Sequence, residues 1–312
     1  MPNVIETTGL TRAYGSRRGI VDVAFSVAEG EVFGFLGPNG AGKTTTIRLL
    51  AGAIRPTSGS ARVFGLDTWA DATRVHASMA YLPSDPGYLG ELTSGEQLDY
   101  LAALRGLPRG AWRRPAERLE LDPSVRIRKL SRGNRQKVAV VQVFMGREPL
   151  LVMDEPTSGL DPLMQREFLA LLAEAKADGR TVFLSSHNLQ EVERGCDRVA
   201  VIREGRVVDI SPVQALLGEH WRSVNLVLDA PPRPGFFDLP NVRVLSEGGR
   251  DVHVMVRGDV NPLLRRIAEL DVRDVAITTP DIEDVFLRFY DAAGAEPAEP
   301  AAAPRMPTEV TP

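Results

Sequence analysis

The sequence predicts an α/β fold with a parallel β-sheet at its core, followed by a smaller α+β domain. Two apolar runs support the parallel sheet: VFGFL at residues 32–36 and LLVM at residues 150–153. Such runs are typical of strands buried on both faces, because helices cover both sides of a parallel sheet. Beyond about residue 218, apolar and polar residues alternate, which indicates strands with one exposed face. A chain of 312 residues has room for both parts.

The first apolar run leads into a glycine-rich loop, GPNGAGKTT, at residues 37–45. A polyphosphate needs many donors at close range, and glycines let backbone N–H groups turn inward at the start of a helix near Lys43. Lys43 then reaches the β- and γ-phosphates, and the Thr44 hydroxyl binds the bridging Mg²⁺. The spacing predicts a P-loop for ATP, the alternative being a plain glycine-rich turn. The expected nucleotide contacts are Gly37, Pro38, Asn39, Gly40, Ala41, Gly42, Lys43, Thr44 and Thr45.

The second apolar run ends in two acids, Asp154 and Glu155. Ligands of parallel sheets gather at the carboxyl ends of the strands, so both acids are expected beside the phosphates. Asp154 is then the acid that organises magnesium, and Glu155 is placed to polarise a water for attack on the γ-phosphate. Alone, two acids after an apolar run often mark only the start of a helix. The P-loop is what makes the catalytic interpretation strong.

Composition narrows the class of protein. The formal charge of -4 provides no basic surface for nucleic acid, which is therefore not expected as a partner. The longest apolar run, at residues 138–144, is far too short for a membrane span, and the N-terminus resembles neither a secretory signal nor a transit peptide. A single cysteine, Cys196, fits a reducing compartment. The sequence thus predicts a cytosolic chain.

A third motif, LSRGNRQK at residues 130–137, resembles the LSGGQ signature of ABC ATPases. Further marks of that family stand in the same order along residues 3–210: Tyr14, YLP ahead of Ser84, SGLD at residues 158–161, and the His of LSSH, His187. The resemblance implies an α/β P-loop NTPase fold of the ABC type over residues 1–218. This fold has a RecA-like core, an N-terminal antiparallel β subdomain and a helical subdomain at about residues 85–140.

The resemblance also implies roles for single residues. Ser131 and Gly133 would bind the γ-phosphate of a nucleotide held by a second ABC ATPase domain, so this chain would pair with its own copy or with a related subunit. Asp161 would lie at the junction between the two sites. Tyr14 would stack on adenine, although packing is the alternative. His187 would contact the γ-phosphate and hold the attacking water, where a lone histidine would otherwise be a core residue.

Three positions depart from the family pattern. Ser84 stands where a glutamine usually senses Mg²⁺, so we expect Ser84 near the metal, with Asp85 or a water completing the contact. Arg132 and Asn134 replace the first glycine and the glutamine of the signature. Arg132 adds charge near a phosphate site, or else belongs to a solvated basic face.

The remaining residues are expected to form an accessory domain and a tail. Strands at about 223–230, 241–248, 251–258 and 272–280, with helices near 261–270 and 281–290, predict a small α+β domain at 219–290. A comparable extension occurs in ATPases of drug and antibiotic exporters. A structural or dimer-supporting role is favoured over a regulatory one. Residues 291–312, rich in Ala, Pro and Glu, are expected to be disordered.

The resemblance therefore implies the ATPase subunit of an ABC transporter. It would bind ATP and Mg²⁺ at the cytoplasmic face of the cell membrane. ATP-driven closure of a dimer would power export of a drug, antibiotic or lipid-like molecule through a separate transmembrane permease. The alternatives are the ATPase of an importer and a soluble ABC ATPase of translation or DNA repair. A metabolic P-loop kinase would have no reason to keep the other motifs.

Overall fold

The computed structural model describes residues 2–15, 17–216 and 221–278 of the chain. As far as residue 216, its strands are β1 (Asn3–Tyr14), β2 (Arg17–Ala28), β3 (Val32–Leu36), β4 (Ser58–Val63), β5 (Leu66–Asp67), β6 (Met79–Leu82), β7 (Leu150–Asp154), β8 (Thr181–Ser186), β9 (Arg198–Arg203) and β10 (Arg206–Pro212). The helices are α1 (Lys43–Leu50), α2 (Ala72–His76), α3 (Ser94–Leu104), α4 (Arg113–Arg118), a 3₁₀ turn (Ile127–Lys129), α5 (Arg132–Phe144), α6 (Pro162–Ala177), α7 (Leu189–Gly195) and α8 (Val213–Leu216).

The central sheet has the strand order β10-β9-β3-β8-β7-β6. Neighbours from β9 to β6 are parallel, and β10 is added to β9 in antiparallel direction. A second sheet, of order β2-β1-β4-β5, is antiparallel throughout. The predicted α/β core with an N-terminal antiparallel β part is therefore confirmed. Within the described ranges, no helix combines the length and apolar character that crossing a bilayer requires.

The parallel strands of the central sheet contribute side chains to hydrophobic cores on both faces of the sheet. In β3, Val32 belongs to the core formed with α3, α5 and α6, whereas Phe33 and Phe35 belong to the core beneath the antiparallel sheet. In β8, Val182 and Phe183 divide in the same way. Successive side chains of a strand point to opposite faces, so a run that is apolar throughout fills both cores.

Four phenylalanines dominate the core beneath the antiparallel sheet. The Phe183 ring lies 5.6 Å from that of Phe25, 5.9 Å from that of Phe33 and 5.5 Å from that of Phe35, measured between centroids. Phe183, Phe33 and Phe35 are fully buried. Aromatic pairs at such distances add to the stabilisation from burial itself. This cluster therefore joins strand β2 of one sheet to strands β3 and β8 of the other.

Helix α3, within the predicted helical subdomain, begins with a complete capping motif. Thr93, rather than Ser94, is the N-cap of α3, since its hydroxyl accepts from the Glu96 N–H (3.2 Å). The Glu96 carboxylate accepts in return from the Thr93 N–H (2.8 Å), which completes a capping box. Ser94 is buried and donates instead to the carbonyl O of Asp122 (2.7 Å).

The C-terminal part forms its own antiparallel sheet, of order β12-β13-β11-β14. Its elements are β11 (Trp221–Leu228), β12 (Val242–Gly248), β13 (Asp251–Arg257), α9 (Asn261–Ile267) and β14 (Val272–Thr278). The four strands and the helix predicted here are confirmed. The helix expected at 281–290 and the tail at 291–312 lie outside the described residues. The domain limits at 85–140, 218 and 290 stay predictions.

We predict that Phe183→Ala lowers the free energy of unfolding by about 3–5 kcal/mol, because it leaves a cavity among the other three rings. Denaturant unfolding of the purified chain, followed by circular dichroism, measures the change. Leu104→Ala is the control, since Leu104 is 67 % exposed and its removal should cost within about 0.5 kcal/mol. A loss of less than about 1 kcal/mol for Phe183→Ala would show that the cluster is not a main contributor to stability.

Candidate functional site

The candidate site lies at the carboxyl edge of the central sheet. Strand β3 leads into the loop of residues 37–42, β7 ends at Asp154 and β8 is followed by His187. Because β3, β8 and β7 are adjacent and parallel, these residues meet at one edge. Strand β6, on the far side of β7, leads towards Ser84 at the same edge. The order of the strands thus brings together segments that are up to 150 residues apart in the sequence.

The loop between β3 and α1 needs glycine at two packed positions. Gly42, the N-cap of α1, has φ +112°, and a Cβ there would lie 2.6 Å from Cγ2 of Ile20. A Cβ on Gly37 would lie 2.5 Å from the carbonyl O of Ile202. Glycine at the N-cap also means that no side chain caps the first N–H groups of α1. These donors are the ones that bind an anion at a helix N-terminus.

Lys43, Glu155 and His187 form one chain of contacts. Lys43 Nζ lies 3.1 Å from Glu155 Oε1 and donates to the carbonyl O atoms of Gly37 (2.6 Å) and Pro38 (3.1 Å). Glu155 Oε2 lies 2.6 Å from His187 Nδ1. Lys43 is buried, whereas the His187 side chain is 53 % exposed. The structure thus brings together Lys43, which the sequence predicts at the phosphates, and Glu155 and His187, which it predicts at the attacking water.

Strain in the backbone of Glu155 sets the direction of its side chain. Glu155 has φ 51°, in the left-handed region that costs about 1–3 kcal/mol for a residue with a Cβ. Its N–H donates to Ser185 Oγ (3.1 Å), and the same hydroxyl donates to Asp154 Oδ1 (2.6 Å). Ser185 therefore orients both acids. Sequence reasoning missed it, although it stands in LSSH, two residues before His187.

Asp154 has an acceptor suited to a cation. Its carboxylate is fully buried, and Oδ2 has no hydrogen-bond partner in the part of the chain that the structure describes. A buried carboxylate oxygen without a hydrogen-bond partner lowers the stability of the fold unless a cation or a donor binds it. Thr44, at the start of α1, supplies a hydroxyl oxygen at the same edge. Hard oxygen ligands of this kind fit Mg²⁺.

Two adjoining cavities open at this edge. The smaller, of about 340 Å³, is lined by Tyr14, Gly19, Asn39, Gly40, Gly42, Lys43, Thr44, Thr45, Ser84 and Glu155. Tyr14 is 41 % exposed, and the Arg12 guanidinium lies 5.1 Å from its ring centroid. The larger, of about 670 Å³, shares Asn39, Ser84 and Glu155 and also reaches Asp85 and His187. Ser84 thus borders both cavities.

Three residues expected to contact a second domain, Ser131, Gly133 and Asp161, lie at or near the starts of helices. Ser131 caps α5, since its Oγ accepts from the Asn134 N–H (3.2 Å), and Asp161 caps α6. The N–H of Met164 holds the pKa of the Asp161 carboxyl below its usual range. Ser131, Gly133 and Asp161 are not among the residues that line the cavity containing Lys43, within the described ranges. The structure therefore brings together the P-loop, the acids and His187, and it places Arg132 of the signature, but not Ser131 or Gly133, at the larger cavity beside them.

These features have counterparts in known proteins. Residues 20–158 match the family model described as ABC transporter. The bacitracin transport ATP-binding protein BcrA of Bacillus licheniformis is 31 % identical over 300 residues, which cover 93 % of this chain and 98 % of that protein. The Nod factor export ATP-binding protein I of Ralstonia nicotianae is 34 % identical over 211 residues, or 66 % of each chain.

A solved structure supports the same assignment at the level of the fold. The dimeric structure of MJ0796, a bacterial ABC transporter cassette, has a TM-score of 0.62 to this chain at 21 % identity, covering 67 % of this chain and 98 % of that one. The match over nearly the full length of BcrA, together with the assembled P-loop and acids, decides the family. The chain belongs to the ABC transporter family, as an ATP-binding and ATP-hydrolysing subunit.

Proposed function

We propose that this chain powers export of a small molecule through a separate transmembrane permease, and that hydrolysis occurs at Glu155. The observation that carries the catalytic part is the contact chain from Lys43 through Glu155 to His187 at the sheet edge. It joins a phosphate-binding cation, a base and a second polar group in one place. That arrangement is what attack of water on a γ-phosphate requires.

Binding of ATP rests on the loop and on Tyr14. The N–H groups of the loop and of the start of α1 cradle the phosphates, and Lys43 contacts the β- and γ-phosphates. Tyr14, at the rim of the smaller cavity, stacks on the adenine. Thr44 and Asp154 would hold Mg²⁺, which neutralises charge on the phosphates, and Ser84 is a further candidate ligand.

The base and its neighbour have distinct roles. The Glu155 carboxylate accepts a proton from the attacking water. It is close to the γ-phosphate because it lies beside Lys43, which binds that phosphate. His187 orients the water and contacts the γ-phosphate, and its contact with Oε2 directs the Glu155 carboxylate. Ser185 holds both acids in place through its hydrogen bonds with the Glu155 N–H and with Asp154 Oδ1. Water attack therefore depends on residues from β7 and β8 together.

Pairing with a second ATPase domain completes the site. Ser131 lies at the exposed start of α5, where its hydroxyl and the helix N–H groups can bind an anion. It does not line the cavity that contains Lys43 of the same chain. We place the nucleotide of a second copy or related subunit there, with Asp161 at the junction. The dimeric state of the MJ0796 cassette supports this arrangement.

The proposed membrane partner rests on the relatives of the chain. Proteins of this family are ATPase subunits of membrane transporters, and two relatives are named for bacitracin transport and Nod factor export. By similarity, this chain would bind the cytoplasmic face of a permease and export a drug, antibiotic or lipid-like molecule. The C-terminal domain would support the dimer. A soluble role without a permease is the alternative that the experiments below address.

Lys43→Ala should weaken ATP binding by about tenfold or more, because it removes a charge-assisted contact to the phosphates. Titration with a fluorescent ATP analogue measures the affinity. Arg48→Ala is a matched control, since Arg48 is a cation on the exposed side of the same helix. An affinity within about twofold of the unmodified chain would remove Lys43 from nucleotide binding.

Glu155→Gln should bind ATP but hydrolyse it at least about 100-fold more slowly, because the amide cannot accept the proton of the water. The variant should accumulate as an ATP-bound dimer or heterodimer, which size-exclusion chromatography with ATP detects. Glu193→Gln, at an exposed glutamate of α7, should behave as the unmodified chain. Rapid steady-state turnover by Glu155→Gln would exclude Glu155 as the base.

The chain should co-purify with a multi-spanning membrane protein. For this test, the tagged chain is expressed in its native cells, membranes are solubilised in mild detergent, and partners are identified by mass spectrometry. A membrane protein in stoichiometric amount supports the transporter and supplies the subunit for a cargo assay. Exclusively soluble partners, with the chain absent from the membrane fraction, would favour a non-transport ATPase.

A further inference from the structure

Helix α5 carries two side chains that hold the loop on which Glu155 lies. Gln136 is 8 % exposed and donates from Nε2 to the carbonyl O atoms of Pro156 (2.7 Å) and Glu155 (3.4 Å). Arg132 lies four residues earlier, on the same face of the helix, and donates from Nη2 to Ser158 Oγ (3.1 Å). One face of α5 therefore contacts residues 155–158 at three points.

The backbones of α5 and this loop are also in direct contact. A Cβ on Gly133 would lie 2.6 Å from the carbonyl O of Gly159, so no side chain fits between them. The stem of Arg132 approaches the Cβ position of Gly159 to 3.6 Å. A displacement of the start of α5 is therefore transmitted to the loop, because close-packed contacts do not compress.

Arg132 differs from the other basic residues near it. Arg126 and Arg128 are half exposed and both pair with the exposed Glu91, as expected for a solvated basic face. Arg132 instead reaches the loop after β7 and lines the larger cavity with Glu155 and His187. Arg132 of the signature therefore contacts the loop after β7 of its own chain, in addition to any contact that it makes with a nucleotide.

The left-handed backbone of Glu155 makes this support necessary. The N–H of Glu155 is held by Ser185, and the carbonyl O of Glu155 accepts from Gln136. These two contacts fix the peptide planes on both sides of Cα and so the direction in which the side chain leaves the backbone. The carbonyl O of Glu155 also accepts from the Ser158 N–H (3.2 Å), which closes the turn 155–158 on itself. Gln136 and Arg132 are what tie this turn to α5.

We infer that Gln136 and Arg132 are positioning residues for hydrolysis, which hold loop 155–158 and connect the Glu155 base to the signature at Ser131. The inference rests on the roles proposed above for Glu155 and Ser131. When Ser131 contacts the nucleotide of the second domain, the start of α5 is fixed. Through Gln136 and Arg132, the base of the first site is then fixed as well. Binding at one site is thereby linked to hydrolysis at the other.

The test is Gln136→Met in the full chain, alone and combined with Glu155→Gln. Methionine keeps the length of the side chain but removes the donor. Alone, the variant should bind ATP normally and lose about 10- to 100-fold in kcat, because a displaced base reacts poorly. In the Glu155→Gln background it should change the residual single-turnover rate by less than about twofold, because the group that it positions is absent.

A second variant covers the case in which the buried change alters folding. Arg132 is exposed, so Arg132→Ala should leave folding intact, and it should lower kcat by about three- to tenfold. Arg132→Lys keeps a donor for Ser158 and should recover part of the loss. Arg126→Ala is the matched control, since that side chain pairs with exposed Glu91.

Two results would overturn the inference. One is hydrolysis at the unmodified rate by both Gln136→Met and Arg132→Ala. The other is an equal loss from Gln136→Met with and without Glu155, which indicates a general structural role. If the unmodified chain, assayed with its partner, does not hydrolyse ATP at all, the proposed function fails, and this inference fails with it.

Discussion

The parallel pairing of β3 with β8, and of β8 with β7, is the constraint on which the rest of the structure depends. It places the carboxyl ends of three strands side by side, so that Lys43, Glu155 and His187 come into contact from distant parts of the sequence. The phenylalanine cluster around Phe183 packs β3 and β8 together from one face, and α5 and α6 cover the other. Catalytic geometry is therefore a property of the sheet more than of any single loop.

What the sequence could predict was local chemistry. The glycine and lysine spacing of the loop and the acids after an apolar strand are short patterns whose physical reasons lie within a few residues. The order of the motifs along the chain carried the resemblance to ABC ATPases, and that resemblance predicted the fold. Ser185 and Gln136 escaped prediction because their value lies in contacts with Glu155, from segments 30 and 19 residues away. Nothing in either residue type marks it without the neighbouring strand or loop.

Glu155 illustrates how the fold supports a strained catalytic residue. Its backbone lies in a disfavoured region, and its surroundings oppose relaxation from two directions: Ser185 on the neighbouring strand and Gln136 on a covering helix. Such strain persists only where the surrounding structure over-determines the conformation. The carboxylate is held in the same manner, between a lysine and a histidine.

The division of β7 between two cores has a further consequence for how accurately the sheet must assemble. If β7 paired with β8 one residue out of register, every side chain of β7 would move to the opposite face. Leu151 and Met153 would then enter the core that is filled by phenylalanines, and Asp154 would no longer lie opposite Ser185. The pairing that is wrong for packing is thus also wrong for the acids. Chains with this shift would therefore lose both the packing of the core and the position of the acids.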